Sequence, residues 1–249
     1  MSDQLRIPIR LTKDSILEAI FEIRFDALAN AADLLTGLMF NTFSEFKDTA
    51  PERLASVNIP KELLQTEPQF KYSPRVKLRK DNFNILIGDH SLGMAIAAPY
   101  NGWEVFSGQI EKMLSAVKET GIIKKTERFA IKYLNVVEFE GLEQQFESVN
   151  FNATLGNFKL VESLTQIRTE IIRNDFINII EIVPNTKFTR SDGLTKAGLL
   201  FAIDTIGDNV EEWWENFMES INRAHETEKE VFYNILSAKT LEKFGPVYE

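Results

Sequence analysis

The chain has 249 residues, of which 44% are hydrophobic and 26% are charged, a composition typical of a globular protein with a sizeable core. Its formal net charge of -9 argues against a general polyanion binder, and the absence of cysteine excludes disulfides, thiolate nucleophiles and thiolate metal sites. No stretch approaches the roughly 20 apolar residues of a membrane span, and the first residues lack the apolar core of a signal peptide. We therefore expect a soluble, cytoplasmic protein that does not enter a membrane.

The first predicted elements are a strand and a helix. Residues 15–25 alternate between apolar and polar positions, which predicts a half-buried strand. Residues 27–46 carry apolar positions at helical spacing, which predicts an amphipathic helix. The stretch 51–68 holds three prolines and predicts a long irregular connection.

Three strands and a second helix are predicted next. The strands are 69–80, 83–88 and 92–98, and the second and third form a hairpin. A turn then leads into a helix at 103–118, which a glycine ends at Gly121.

A long strand at 127–140, with the sequence ERFAIKYLNVVEFE, is predicted at the centre of the fold. Neither of its faces is cleanly polar, which suits a strand covered on both sides. Tyr133 and Asn135 lie two apart on one face, and their polar groups need partners if they are buried.

The remaining elements form a second set of strands before the last helix. Residues 164–173 and 176–184 predict a hairpin with a two-residue turn. A polar loop at 185–196 and a strand at 198–206 follow. A long helix then begins at Asp208 or the residue after it, where acidic side chains favour a helix start.

The two parts of the chain repeat one order of elements: three strands, a turn, and a helix that opens on tryptophan. This predicts an α+β fold with a mostly antiparallel sheet, built from two related strand-strand-strand-helix halves and ending in a long helix. The halves are about 1–140 and 150–249 of a single globular domain, 1–249. The alternative is coincidence, because any α+β chain offers such matches.

The histidines provide little sign of catalysis. His90 lies in a predicted hairpin turn, and His225 lies on the apolar stripe of the last helix. The chain has no HExxH motif, so we predict no metal site, and it has no glycine-rich phosphate loop, so we predict no cofactor. His225 is expected to be buried and hydrogen-bonded, with a catalytic or metal role as the alternative. Together with Tyr133 and Asn135 it is a candidate binding residue.

Glu18 and a basic strand are further candidate binding residues. Glu18 lies on the polar face of the first strand and is expected to pair with Arg128 or Lys132, with catalysis as the alternative. A second candidate is an alternating basic face next to aromatic residues, which would suit a stacking platform for nucleotides or single-stranded nucleic acid. A solvated charged face is its alternative. The basic residues are Arg75, Lys77 and Arg79.

Four stretches of the sequence resemble a sporadically distributed, uncharacterised bacterial family. They are SILEAIFEIRF at 15–25, APYNGWEVF at 98–106, RFAIKYLNVVEF at 128–139 and AHETEKEVFYNILSAKTLEKFG at 224–245. The family pattern has a proline in the residues before Glu18, where this chain has Ser-Ile-Leu, and commonly an arginine at the position of Lys132. The scattered occurrence of the family implies mobile genes, as in toxin–antitoxin and phage-defence modules.

These observations favour a recognition or regulatory protein over an enzyme. Its partner is expected to be a protein, either a different one or a second copy, and its role that of an antitoxin or accessory component of a mobile module. The alternative is a nucleotide- or RNA-binding protein that uses the basic strand face. A third hypothesis is an enzyme with a site formed by Glu18, Tyr133, Asn135 and His225.

Overall fold

The computed structural model describes residues 6–58, 67–139, 141–189 and 195–248. Its strands are β1 (Arg10–Leu11), β2 (Ile16–Ala27), β3 (Glu52–Arg53), β4 (Val76–Lys80), β5 (Phe83–Ile87), β6 (Ser91–Ala97), β7 (Ile123–Glu138), β8 (Thr154–Leu155), β9 (Phe158–Lys159), β10 (Ile167–Arg173), β11 (Phe176–Thr189), β12 (Thr195–Gly207) and β13 (Pro246–Val247). Its helices are α1 (Ala31–Thr42), α2 (Pro68–Lys71), α3 (Trp103–Lys118), α4 (Leu142–Glu147), α5 (Phe217–Ile235) and α6 (Ala238–Lys243).

The chain divides into two compact units. Unit 1 consists of Met1–Glu18, Lys132–Thr205 and Asn222–Glu249, and unit 2 consists of Ala19–Ile131 and Ile206–Ile221. Strands β2, β7 and β12 therefore contribute residues to both units. The expected single domain with halves at about 1–140 and 150–249 stays a prediction.

The α+β class and the mostly antiparallel sheet are confirmed. In unit 2 the strands lie in the order β2-β6-β5-β4-β3, and the pairs from β3 to β6 are antiparallel. In unit 1 the order is β7-β12-β11-β10, and β10 and β11 are antiparallel. Along the chain, β4, β5 and β6 precede α3, while β10, β11 and β12 precede α5. Each unit thus contains the strand-strand-strand-helix order.

Several elements lie where the sequence predicts them. The helix predicted at 103–118 is α3, and the first strand buries Ala19, Phe21, Ile23 and Phe25 as expected. The turn between β10 and β11 uses Asn174 and Asp175, with φ angles of 51° and 67°. Positive φ at both positions is the requirement of a tight two-residue hairpin turn, and asparagine and aspartate tolerate it.

Two predictions in the first part of the chain need correction. The strand expected at 69–80 starts only at Val76, because Pro68 begins the short helix α2 and Pro74 has no N–H for a ladder. The helix expected at 27–46 spans only Ala31–Thr42, since β2 continues to Ala27 and Asn30 is left-handed. Within the irregular connection expected at 51–68, residues 59–66 lie outside the described residues, and the described part contains the short strand β3.

The later part of the chain needs further corrections. The predicted polar loop at 185–196 is wrong at both ends, because β11 continues to Thr189 and β12 already starts at Thr195, while 190–194 lie outside the described residues. The last helix begins at Phe217 and not at 208, since the left-handed Glu212 (φ 54°) interrupts the chain before it. β7 starts at Ile123, four residues before its predicted start.

The core of unit 1 packs α5 against the strands through aromatic and aliphatic side chains. Phe201 of β12 is fully buried and stacks on Phe232 of α5, with 5.5 Å between ring centroids. Other members of this cluster are Val137, Phe146, Ile180, Ile182, Leu199, Ile203 and Leu236. The contact holds α5 against the sheet of unit 1.

We predict that Phe201→Ala lowers the free energy of unfolding by about 3–5 kcal/mol, because it removes a buried ring and leaves a cavity. The matched control is Phe158→Ala, whose ring is 74% exposed and which should change the stability by less than about 0.5 kcal/mol. Urea unfolding followed by circular dichroism measures both values. Equal effects of the two substitutions would contradict the packing described here.

Candidate functional site

A buried polar cluster lies on one face of β7 in unit 1. Tyr133 and Asn135 are 3% and 1% exposed. The Ser15 hydroxyl donates a hydrogen bond to Asn135 Oδ1 at 2.9 Å, and the Ser15 carbonyl accepts one from the Val136 N–H at 2.8 Å. Ser15 therefore holds the segment before β2 against β7 through both its side chain and its backbone.

His225 joins this cluster from α5. Its Nδ1 lies 3.3 Å from the hydroxyl of Tyr133, within hydrogen-bond distance, and the two rings are 6.0 Å apart. His225 is buried, as the apolar stripe of the last helix predicts. The structure thus brings together three of the predicted binding residues: Tyr133, Asn135 and His225.

Burial shifts the protonation of the groups on α5. Desolvation, with a smaller contribution from the charge of Lys229, lowers the pKa of His225 to about 3. Desolvation also raises the pKa of Glu228 to about 8, and its Oε1 has no hydrogen-bond partner among the described residues. Burial and the nearby Glu228 raise the pKa of Tyr233 to about 12. At neutral pH these groups are predominantly uncharged.

This chemistry is poorly suited to acid–base catalysis at neutral pH. A histidine with a pKa near 3 is a weak base, and general catalysis is most efficient when the pKa lies close to the working pH. The Nδ2 of Asn135 is a second buried polar atom without a partner among the described residues. We interpret the cluster mainly as a structural element whose neutral state depends on pH.

Glu18 lies apart from the buried cluster. Ser15 reaches Asn135, so the odd-numbered positions at the start of β2 share a face with Tyr133 and Asn135. Because side chains alternate along a strand, Glu18 lies on the opposite face. Glu18 therefore lies outside the cluster that contains the other three residues of the hypothesised enzyme site.

The two cations expected beside Glu18 each have a carboxylate neighbour on the described strands, and the expected pairing with Glu18 stays a prediction. In unit 2, Arg128 lies 3.6 Å from Glu22, and in unit 1, Lys132 lies 3.8 Å from Glu181. Surface ion pairs of this kind contribute at most about 1 kcal/mol each. They show that the charged face of the strands is locally balanced.

The predicted basic face in unit 2 is partly neutralised. Arg75 donates to Asp89 at 2.5 Å, and Lys77 lies directly opposite Glu52 in the ladder between β3 and β4. Arg79 is exposed on the same strand. Acidic neighbours reduce the positive potential that phosphate binding needs.

The aromatic residues expected to flank the basic face are also engaged elsewhere. The ring of Phe83 stacks on Phe46, with 5.4 Å between centroids. The Tyr72 hydroxyl donates to Glu127, and Arg24 lies 4.5 Å above the Tyr72 ring. These contacts leave less of the Phe83 and Tyr72 ring surfaces available for stacking with bases.

A polar cleft of about 390 Å³ opens in unit 2. Among its lining residues are Glu127, Asp208 and Glu211, with Lys125 as a counter-charge. No group of three or more acidic or histidine side chains among the described residues has the arrangement of a metal site. The cleft carries no further sign of a ligand.

Exposed apolar side chains concentrate in 154–173 of unit 1. In the small hairpin of β8 and β9, Leu155 is paired with Phe158, and these side chains are 70% and 74% exposed. Ile172 of β10 is 78% exposed and Leu164, before β10, is 68% exposed. Apolar groups so close together in the chain favour a contact surface.

Sequence reasoning misses Ser15, Glu228 and Tyr233. Glu228 follows His225 by three residues, a spacing that places both on one face of a helix, so the pattern contains a signal for it. Ser15 opens the predicted strand 15–25, and its local sequence does not indicate a partner. Its role follows only from its pairing with β7.

Comparisons with known proteins found no family model that matches the chain and no match among curated proteins. The resemblance drawn from the four sequence stretches stays a hypothesis. Within the part of the chain that the structure describes, no helix has both the length and the apolarity needed to cross a membrane.

The buried cluster predicts a pH profile of stability. For His225, the folded pKa of about 3 lies below the ordinary 6.5, so the folded state loses stability as pH falls from 6.5. For Glu228, the folded pKa of about 8 lies above the ordinary 4.5, so stability is lost as pH rises from 4.5 through 8. Each group contributes a slope of about 1.4 kcal/mol per pH unit within its window, and the slopes oppose each other between pH 4.5 and 6.5.

We therefore expect Glu228→Gln to abolish the loss of stability between pH 6.5 and 8, because a neutral amide replaces the titrating carboxyl. Urea unfolding at pH 5.5, 7 and 8 measures this profile. The matched control is Glu219→Gln, nine residues earlier on α5, whose side chain is exposed and which should leave the profile as in the native chain. A native profile that stays flat from pH 6.5 to 8 would contradict the burial of Glu228.

Proposed function

We propose that this protein is a recognition protein that acts by binding another protein. The observation that carries the proposal is the exposed apolar pair of the β8–β9 hairpin, within a stretch of unit 1, 154–173, that is rich in such side chains. Ten large hydrophobic side chains are exposed among the described residues, and five of them lie in this stretch of the chain. The five are Leu155, Phe158, Leu164, Ile171 and Ile172.

The chemistry of this surface favours a protein partner with a complementary apolar patch. Leu155 and Phe158 stand side by side on a hairpin, where large side chains can enter a pocket of a partner. The neighbouring Lys159 and Glu162 are exposed and lie 3.2 Å apart, which gives the apolar pair a polar border. An apolar centre with a polar rim is the usual composition of a protein interface.

Two alternatives have less support. The weak basicity of His225 disfavours acid–base catalysis, since its pKa of about 3 is far from neutral. Nucleotide or RNA binding through Arg75, Lys77 and Arg79 is disfavoured by the pairing of Arg75 with Asp89. Both alternatives stay hypotheses, and the experiments below distinguish them from the proposal.

The proposed setting is the bacterial cytoplasm, with the protein as an antitoxin or an accessory component of a toxin–antitoxin or phage-defence module. The support for this finer proposal is the resemblance of the four sequence stretches to a sporadically distributed family. The partner would then be the product of an adjacent gene. It would bind the surface formed by the β8–β9 hairpin.

We predict that Leu155→Asp and Phe158→Asp each weaken binding to that gene product by about tenfold or more, because a charge replaces an anchoring apolar group. Calorimetric titration of the purified proteins measures the affinity. The matched control is Leu34→Asp on α1, where the leucine is 49% exposed outside this surface and the affinity should not change.

Two results would overturn the proposal. One is an affinity that is insensitive to both hairpin substitutions. The other is turnover of nucleotides or nucleic acid by the purified chain alone. Salt-dependent binding of RNA that charge reversal at Arg79 abolishes would favour the alternative function instead.

A further inference from the structure

β10 is an edge strand of unit 1 whose residues are mostly exposed to solvent. Within the described residues it is the terminal strand in the order of the sheet and pairs with β11 alone. Six of its seven residues are exposed. By contrast, the edge strand of unit 2, β3, is only two residues long and consists of Glu52 and Arg53. Short charged edges are protected from pairing, whereas long edges with isoleucines are not.

The turn geometry shows which backbone groups of β10 face outward. In a two-residue hairpin the closing pair, here Arg173 and Phe176, exchanges backbone hydrogen bonds, and hydrogen-bonded pairs alternate along the ladder. Thr169 therefore directs its N–H and C=O to β11. The backbone groups of Arg168, Glu170 and Ile172 point away from β11 and are available to another strand.

The side chains of β10 are sorted by face. Ile167, Thr169 and Ile171 are opposite Ile182, Ile180 and Asn178 of β11, the buried face of that strand. Arg168, Glu170 and Ile172 lie on the other face, where Arg168 is 3.4 Å from Glu181. The edge thus presents isoleucines on one face and a basic and an acidic residue, two positions apart, on the other.

We infer that β10 pairs antiparallel with β10 of a second copy of this chain, with Thr169 on the two-fold axis. Directly opposite residues of an antiparallel pair have their side chains on the same face of the sheet. A two-fold axis perpendicular to the sheet keeps each side chain on its face, so it pairs odd-numbered residues with odd and even with even. Every possible register therefore has one residue on the axis. In the register centred on Thr169, Arg168 of each copy is opposite Glu170 of the other, and Ile167 of each copy is opposite Ile171 of the other. Two charge pairs and two isoleucine pairs form together.

The registers centred on Arg168, Glu170 or Ile171 either bring like charges together or leave Arg168 and Glu170 without an opposite charge. Centring on Arg168 or on Glu170 places like charges directly opposite each other, which destabilises a strand pair. Centring on Ile171 sets Glu170 against Ile172 and Arg168 beyond the end of the strand. Charge complementarity therefore selects both a second copy as the occupant and the register in which it binds. This interface does not depend on Leu155 or Phe158.

The test uses two charge variants of the full chain, alone and mixed. Arg168→Glu and Glu170→Arg each create two like-charge contacts, so each variant should dimerise at least about tenfold more weakly than the native chain. Mixed together, the two variants restore opposite charges at all four positions and should form a heterodimer. Sedimentation equilibrium measures the four dissociation constants, those of the native chain, of the two variants alone and of their mixture.

The register is tested with single cysteines in a chain that has none. In the proposed pair the two Thr169 residues form a non-hydrogen-bonded pair with Cα atoms about 4.5 Å apart, within disulfide range. Thr169→Cys should therefore oxidise to a covalent dimer. The matched control is Ile171→Cys, whose two copies would lie about 13 Å apart along the strands and should not cross-link.

A native chain that stays monomeric at about 100 μM overturns the inference, as does equal cross-linking of the two cysteine variants. So does a mixture of the charge variants that shows no heterodimer. If these results occur while Leu155→Asp still weakens partner binding, self-pairing fails and the proposed function stands. If the dimer forms as described and partner binding is insensitive to the hairpin substitutions, the proposed function fails and self-pairing stands.

Discussion

The contact between Tyr133 and His225 is the interaction on which the buried polar cluster of unit 1 depends. It joins β7 to α5 across 92 positions of the chain, and both side chains are nearly excluded from water. A buried polar group must find a partner or lose the free energy of a hydrogen bond to water. The pair therefore constrains how α5 lies on the strands of unit 1, in addition to the apolar packing of Phe201 and Phe232.

The same burial explains why the cluster is neutral. Desolvation disfavours charge on His225 and on Glu228, so the histidine gives up its proton and the carboxyl group keeps its own. The two shifts have opposite signs and act on neighbouring turns of α5. Their common cause is the packing of the helix, which links the protonation state of both groups to the folded state of unit 1.

The proposed binding surfaces of unit 1 consist of side chains that remain exposed. The hairpin with Leu155 and Phe158 and the edge strand β10 keep apolar groups in water, which a folded chain tolerates at a cost. β10 additionally offers backbone groups that no strand of the described residues pairs with. Side-chain burial and backbone pairing are thus two separate reasons to expect contacts with other protein chains in unit 1.

Local chemistry explains which elements the sequence could predict. The helix at Trp103–Lys118 follows from the spacing of apolar residues, and the turn at Asn174 and Asp175 follows from residues that tolerate positive φ. The strand around Tyr133 follows from two faces of which neither is cleanly polar, the pattern of a strand covered on both sides. Where these signals were mixed, as in the polar stretch at 185–196, the ladder between strands overrode composition and extended β11 to Thr189.

The patterns of single elements predict the α+β class, the hairpins, the covered strand that carries Tyr133 and Asn135, and the burial of His225. The folded structure adds that Ser15 pairs with Asn135, that Glu228 is buried on α5, that Glu18 faces away from the cluster, and that β10 ends the sheet of unit 1 within the described residues. The physical reason is that strand neighbours and helix docking bring together residues far apart in the chain. No local spacing records which of them will meet.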